Sequence, residues 1–144
     1  MTSRDRMRIA LVEVRSERSE CINRDFMAGY GWAFNVGRSW PAKLIEQVKR
    51  FGERVPLTSY GYLAAFFRRA GHEVTVGPDV PPEADLAIIQ SSMVEHRAEL
   101  RTAEQIRRTS RARIGFIGPF SGAMPGLYLP HADFIIQGEA EAWG

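Results

Sequence analysis

The sequence predicts an α/β fold: a doubly wound, five-stranded parallel sheet with helices on both faces. Three observations lead there. Five short runs, MRIALVEV, HEVTV, LAIIQ, RIGFI and FIIQ, are largely apolar, the pattern of strands buried on two faces rather than the alternation of a sheet with one wet side. Stretches of helical spacing lie between them, and Gly and Pro punctuate the junctions. With 144 residues, 44% hydrophobic and 25% charged, the chain suits a single domain, residues 1–144, with a genuine core.

The first strand falls within Met7–Val14, interrupted only by Arg8 and Glu13. An insertion over residues 15–56 follows, too rich in Gly, Asn and aromatics to be a passive connection. Part of it, from Pro41 to about Phe51, reads as a helix with Ser39 as N-cap and Gly52 at its end. Ser59 caps the next predicted helix, YGYLAAFFRRA, with Leu63, Phe66 and Phe67 as its apolar face and Gly71 as a left-handed stop before HEVTV. Leu86–Gln90 is then a strand, Glu95–Arg108 an amphipathic helix, Arg113–Ile117 a strand and Phe134–Gln137 the last strand. Strands alternating with helices in this way predict the flavodoxin-like (Rossmann-like) order 2-1-3-4-5.

Composition narrows the function classes. The formal charge is only +2 and the arginines are dispersed, which argues against nucleic-acid binding. No run approaches the roughly 18 apolar residues of a membrane span, and MTSRDRMR opens no signal peptide, so a cytoplasmic protein without membrane association is expected. Cys21 is the single cysteine, which excludes an internal disulfide, a CxxC site and a cysteine-held iron–sulfur cluster within this chain.

In open α/β sheets, ligands bind beyond the carboxyl ends of the strands. The loops there carry SSMVE, GPFSGAMP and GEAE. Ser92 and Glu95 have capping-box spacing, and the free N–H groups beside Ser91 and Ser92 are equally placed to receive a polar ligand. Gly115 interrupts a strand, and Gly118 and Gly122 follow one loop onward, either to fit tight turns or to admit a ligand. Gly138 and Glu139 fall at the same edge, where Glu139 accepts from ligand hydroxyls or faces water. His72 and His131 belong at the opposite, amino edge. His96 is on the carboxyl side and reads as a solvated surface residue.

With these residues laid out, PLTSYGYLAAFFRRAGHEVTV, ADLAIIQSS, IGFIGPFSGAMP and ADFIIQGEAE resemble, in order and spacing, the N-terminal cobalamin-binding domain of B12-dependent radical SAM enzymes, and INRDFMAGYGWAFNVG resembles the insertion such proteins carry after the first strand. The resemblance implies cobalamin held by Thr58, Ser59, Tyr60, Gly61, Ser91, Ser92, Gly115, Gly118, Pro119, Phe120, Ser121, Gly138 and Glu139. It departs from the DxHxxG pattern of domains that ligate cobalt: if Gly61 is the glycine, Pro56 and Thr58 occupy the aspartate and histidine positions. This implies base-off cobalamin with no histidine ligand and no metal-ligating residue. It further implies a partner radical SAM barrel after residue 144, with a [4Fe–4S] cluster and S-adenosylmethionine in that barrel, and methyl transfer as the reaction of the whole enzyme. Tyr30, Trp32, Phe34 and Trp40 either shield the corrin, form a satellite core or meet another domain.

Two other readings stay open: a stand-alone corrinoid carrier or sensor, and a degenerate flavodoxin-like scaffold that binds nothing. A receiver domain is a poor match, because Gln90, Ser91 and Ser92 stand where a phosphorylatable aspartate belongs. A flavin protein would need a compact phosphate loop where the long insertion lies.

Overall fold

The fold was described from a computed structural model, which covers residues 6–14, 21–23, 32–33, 37–52 and 58–138. Strands β1 (Arg8–Val12), β4 (Glu73–Gly77), β5 (Leu86–Gln90), β6 (Arg113–Ile117) and β7 (Phe134–Ile136) form one sheet in the order β4-β1-β5-β6-β7. Every pairing in it is parallel. Numbered by position in this sheet, the order is 2-1-3-4-5, so the fold is α/β and flavodoxin-like, as the sequence predicts.

Both faces are covered because the central strands are apolar in both phases. On one face Ile9, Leu11, Val74, Ile88 and Ile117 pack against helix α2 (Thr58–Arg69) through Tyr60, Leu63 and Ala64. On the other, Ala10, Val12, Ala87, Ile89, Ile114 and Phe116 meet Ala103 and Ile106 of helix α3 (His96–Thr109). Tyr128, from the short helix α5 (Pro125–Tyr128) after helix α4 (Pro119–Ala123), completes that second cluster. Each fully buried Ile, Leu or Phe contributes roughly 1.5–3 kcal/mol over its exposed state. The single-residue alternation between the two clusters is what makes the sheet a shared wall.

The helix boundaries hold with two corrections. Gly71 adopts φ +93° and ends α2 as predicted, with the His72 N–H donating to the Phe67 carbonyl. Ser59, however, is not the cap: α2 begins at Thr58, and the Ser59 hydroxyl instead donates to Gln90 Oε1 at 2.9 Å. The apolar face is also turned from the predicted one. Tyr60, Leu63 and Ala64 are buried and Phe67 is partly buried, whereas Phe66 is exposed. Between β1 and α2 the described residues add an antiparallel ribbon, β2 (Cys21–Asn23) with β3 (Trp32–Ala33), and helix α1 (Trp40–Gly52). The Ser39 hydroxyl accepts from the Ala42 N–H at 3.4 Å, which supports its predicted capping role.

The amino edge is fastened by two aspartates that each precede one strand and reach its neighbour. Asp85, before β5, accepts from the Arg8 N–H of β1 at 2.8 Å, and Asp133, before β7, accepts from the Ile114 N–H of β6 at 2.6 Å. His72, as expected, is at this edge, where its Nδ1 accepts from the Met7 N–H. His131 pairs there with Glu104 at 3.2 Å.

The Arg8 backbone N–H holds the Asp85 carboxyl below its ordinary range; partial desolvation opposes this and the Arg8 guanidinium reinforces it. A carboxylate with a depressed folded value stabilises the fold at pH above its unfolded value, about 3.9, and the benefit is lost as pH falls through the folded value. Between about pH 5 and pH 2, therefore, the urea midpoint of the wild type should fall more steeply than that of Asp85→Asn. Parallel curves for the two proteins would show that Asp85 contributes nothing to acid resistance.

Candidate functional site

The predicted site residues are brought mainly to one edge, the carboxyl rim of the sheet. The ladder continues past β5, with the Ser91 N–H donating to the Ile117 carbonyl at 2.7 Å. This carries Ser91 alongside Gly118, the first residue after β6. Gly118 has φ +113°, and a Cβ there would stand 3.0 Å from Ser91 Oγ and 3.1 Å from the Ser91 carbonyl oxygen. Only glycine takes that backbone angle and that approach without strain. Pro119 then opens α4 and stays exposed.

The two loops are sewn together by hydroxyls. Ser91 Oγ accepts from the Ser121 N–H at 2.9 Å and donates to Ser121 Oγ at 2.9 Å, and Ser121 Oγ also reaches the Gly118 carbonyl at 3.1 Å. Ser91, Ser92 and Ser121 are all 0% exposed. Half the expected capping box is present: Ser92 Oγ accepts from the Glu95 N–H at 3.2 Å. The same hydroxyl donates to Glu99 Oε1 at 2.7 Å, and the Tyr128 hydroxyl donates to Glu99 Oε2 at 3.0 Å.

Tyr60 seals the crevice between β1 and β5, where the strand order reverses. Its hydroxyl donates to the Val12 carbonyl at 2.9 Å and accepts from the Gln90 N–H at 2.7 Å. The phenol thus takes the place of the next β1 residue, satisfying a β5 N–H that would otherwise be buried without an acceptor, at a cost of about 1–3 kcal/mol. Tyr60 is a structural bridge, and at the rim between β5 and β6 the backbones approach through small residues, Ser91 and Gly118.

The other predicted residues divide. Thr58 and Gly61 are exposed in the first turn of α2, and no atom lies within 4 Å of a Cβ placed on Gly61. Gly138, exposed with φ +85°, ends β7. Glu139 lies outside the described residues, as do Tyr30 and Phe34. Trp40 is 77% exposed. Gly115 has a packing reason: it pairs with Phe134 across the sheet, and its missing Cβ is the space the Phe134 ring fills, with the Arg113 guanidinium 5.9 Å from that ring. The glycine accommodates a neighbour's aromatic ring.

Above the serines the rim is more open. His96 is half-buried rather than solvated, with Nδ1 2.9 Å from the Met93 carbonyl and its ring 5.9 Å from that of Phe120. Met93 is 51% exposed, and Phe120 is half-buried. A cavity of about 460 Å³ lies elsewhere, along the outer side of α2 beside Tyr62, Phe66 and Arg69. Among the described residues no three His, Cys, Asp or Glu side chains gather as metal ligands, and no helix is long and apolar enough to cross a membrane.

The sequence reading missed Glu99 and Tyr128. One signal was available for the first: Glu99, Ala103 and Ile106 share helical spacing, so the glutamate sits on the apolar stripe of α3. No protein-family model, curated protein or solved structure matches the chain.

Replacing Gly118 by alanine should cost about 1–3 kcal/mol, from the positive φ and the collision with Ser91. Gly122→Ala, with no atom within 4 Å of the added Cβ, should change stability by less than about 0.5 kcal/mol. Gly115→Ala should destabilise strongly and recover in part when Phe134 is also changed to Leu. Urea denaturation of the wild type and these four variants measures all the effects, and equal midpoints for Gly118→Ala and Gly122→Ala would refute the close-approach account.

Proposed function

We propose that the carboxyl rim binds cobalamin, base-off and without a protein histidine on cobalt. On this reading the chain is the N-terminal domain of a B12-dependent radical SAM enzyme that transfers methyl groups. The observation that carries the reading is the gathering of Ser91, Ser92, Gly118 and Ser121 at one carboxyl edge of a 2-1-3-4-5 sheet, with no bulky side chain among them. A flat nucleotide tail needs such a floor, because large side chains would hold it away from the backbone groups that recognise it.

The residues present fit a corrinoid in a specific way. The Ser91, Gly118 and Ser121 turn would hold the tail, and Phe120 and Met93 would offer the ring apolar contact at the rim. His72 and His131 are at the far edge of the sheet, and Thr58 stands where a cobalt-ligating domain has its histidine. When bound, the cofactor supplies a reactive cobalt–carbon bond, while the protein binds and orients it. The single cysteine, Cys21, leaves the cluster and S-adenosylmethionine to a partner radical SAM domain.

A second reading has one observation in its favour. Ser91 and Ser121 already satisfy each other and are fully buried, as expected of a scaffold that keeps the fold and binds nothing. The two readings part in a single measurement. After the protein is mixed with hydroxocobalamin or methylcobalamin and freed of unbound cofactor, a retained absorption spectrum of base-off type is expected; a colourless protein would overturn the corrinoid reading and favour the scaffold. Gly118→Leu should lower retention more than His96→Ala, and the reverse order would place His96 on the cobalt.

A further inference from the structure

We infer that Glu99 is a positioning residue that sets the separation of the two rim loops, and so the protein's selectivity for a corrinoid that carries a nucleotide tail. The inference rests on the corrinoid reading and deepens it. Glu99 is 0% exposed, although a carboxylate is costly to bury. Its two oxygens face two different loops. Oε1 takes the Ser92 hydroxyl at 2.7 Å, and Ser92 in turn takes the Glu95 N–H, which fixes the turn after β5. Oε2 takes the Tyr128 hydroxyl at 3.0 Å, and Tyr128 packs edge-on against Phe116 at 4.7 Å and Phe120 at 6.1 Å, which fixes the loop after β6. The serines that would line the tail pocket lie between these two arms. Ser91 and Ser121 bond each other and the backbone of the loop after β6, whereas Glu99 ties the turn after β5 to the segment after β6 through side chains.

The role separates from general stability because one corrinoid has a tail and another does not. Affinities for cobalamin and for cobinamide, which lacks the nucleotide, are measured on the wild type and on Tyr128→Phe, Glu99→Gln and Glu99→Ala, with far-UV circular dichroism as a check on folding. Tyr128→Phe keeps the ring packing and removes only one arm, so it remains informative even if Glu99→Ala fails to fold. The wild type should prefer cobalamin; Tyr128→Phe should lose about tenfold in cobalamin affinity, the size of one buried hydrogen bond, with cobinamide affinity unchanged. Glu99→Gln, which keeps an acceptor for only one of the two hydroxyls, should also lose cobalamin affinity, by up to about tenfold, with cobinamide affinity unchanged. Equal losses for both ligands, or none in Tyr128→Phe, would overturn the positioning role while leaving cobalamin binding intact. Wild-type protein that holds neither corrinoid, or both equally, would instead overturn the tail-binding reading and the positioning role with it.

Discussion

The approach of Gly118 to Ser91 is the contact from which the carboxyl rim is built. Parallel strands end in step only as far as their ladder bonds carry them, and the last of these bonds here, from the Ser91 N–H to the Ile117 carbonyl, brings the two chains out of the sheet side by side. Any side chain on residue 118 would then have to share space with Ser91. Its absence, together with a positive φ, lets the chain turn at once into α4, so that the Ser121 N–H reaches back to Ser91. The same turn places Phe120 against Tyr128, and Tyr128 within reach of Glu99.

The strands were legible because burial on two faces leaves little ambiguity. Leu86–Gln90 and Arg113–Ile117 appear with the predicted ends, since apolar runs of about five residues bounded by turn residues are too short for helices. Where one face of a helix had to be chosen, pattern alone erred. Phe66 and Phe67 are chemically equal, yet only the phase set by Tyr60 decides which turns inward, and Tyr60 is inward because its hydroxyl completes the β1–β5 ladder. A hydrogen bond between residues 30 and 48 positions apart leaves no local trace.

Gly115 illustrates the same limit within the proposed site. A glycine inside a strand announces that something comes close, but not what. The answer is Phe134, nineteen residues onward and one strand over, and it emerges only once the register Gly115 to Phe134 is known. Gly118 carried the same signal and has a different neighbour, Ser91. Ser59 failed as a cap for a related reason: a hydroxyl near a helix start bonds whichever partner is better placed, and here that partner is Gln90.

The two edges of the sheet are closed by different chemistry, and the difference bears on where a ligand can enter. At the amino edge, Asp85 and Asp133 bond the backbone N–H groups of neighbouring strands, and opening that edge would sacrifice ladder geometry as well as the side-chain bond. At the carboxyl edge the closing groups are serine hydroxyls, which bond each other once and otherwise take loop partners: the Ser121 and Glu95 N–H groups, the Gly118 carbonyl and Glu99. A neutral hydroxyl bond contributes only about 0.5–1.5 kcal/mol net, and a hydroxyl both donates and accepts, so exchanging one partner for another requires a rotation about a single side-chain bond. Glu99 and Tyr60 tie the backbone on either side of that cluster. On the proposed reading, the closed serine cluster would be the resting state of a binding floor, in which polar groups of the nucleotide tail would replace hydroxyl contacts of similar strength.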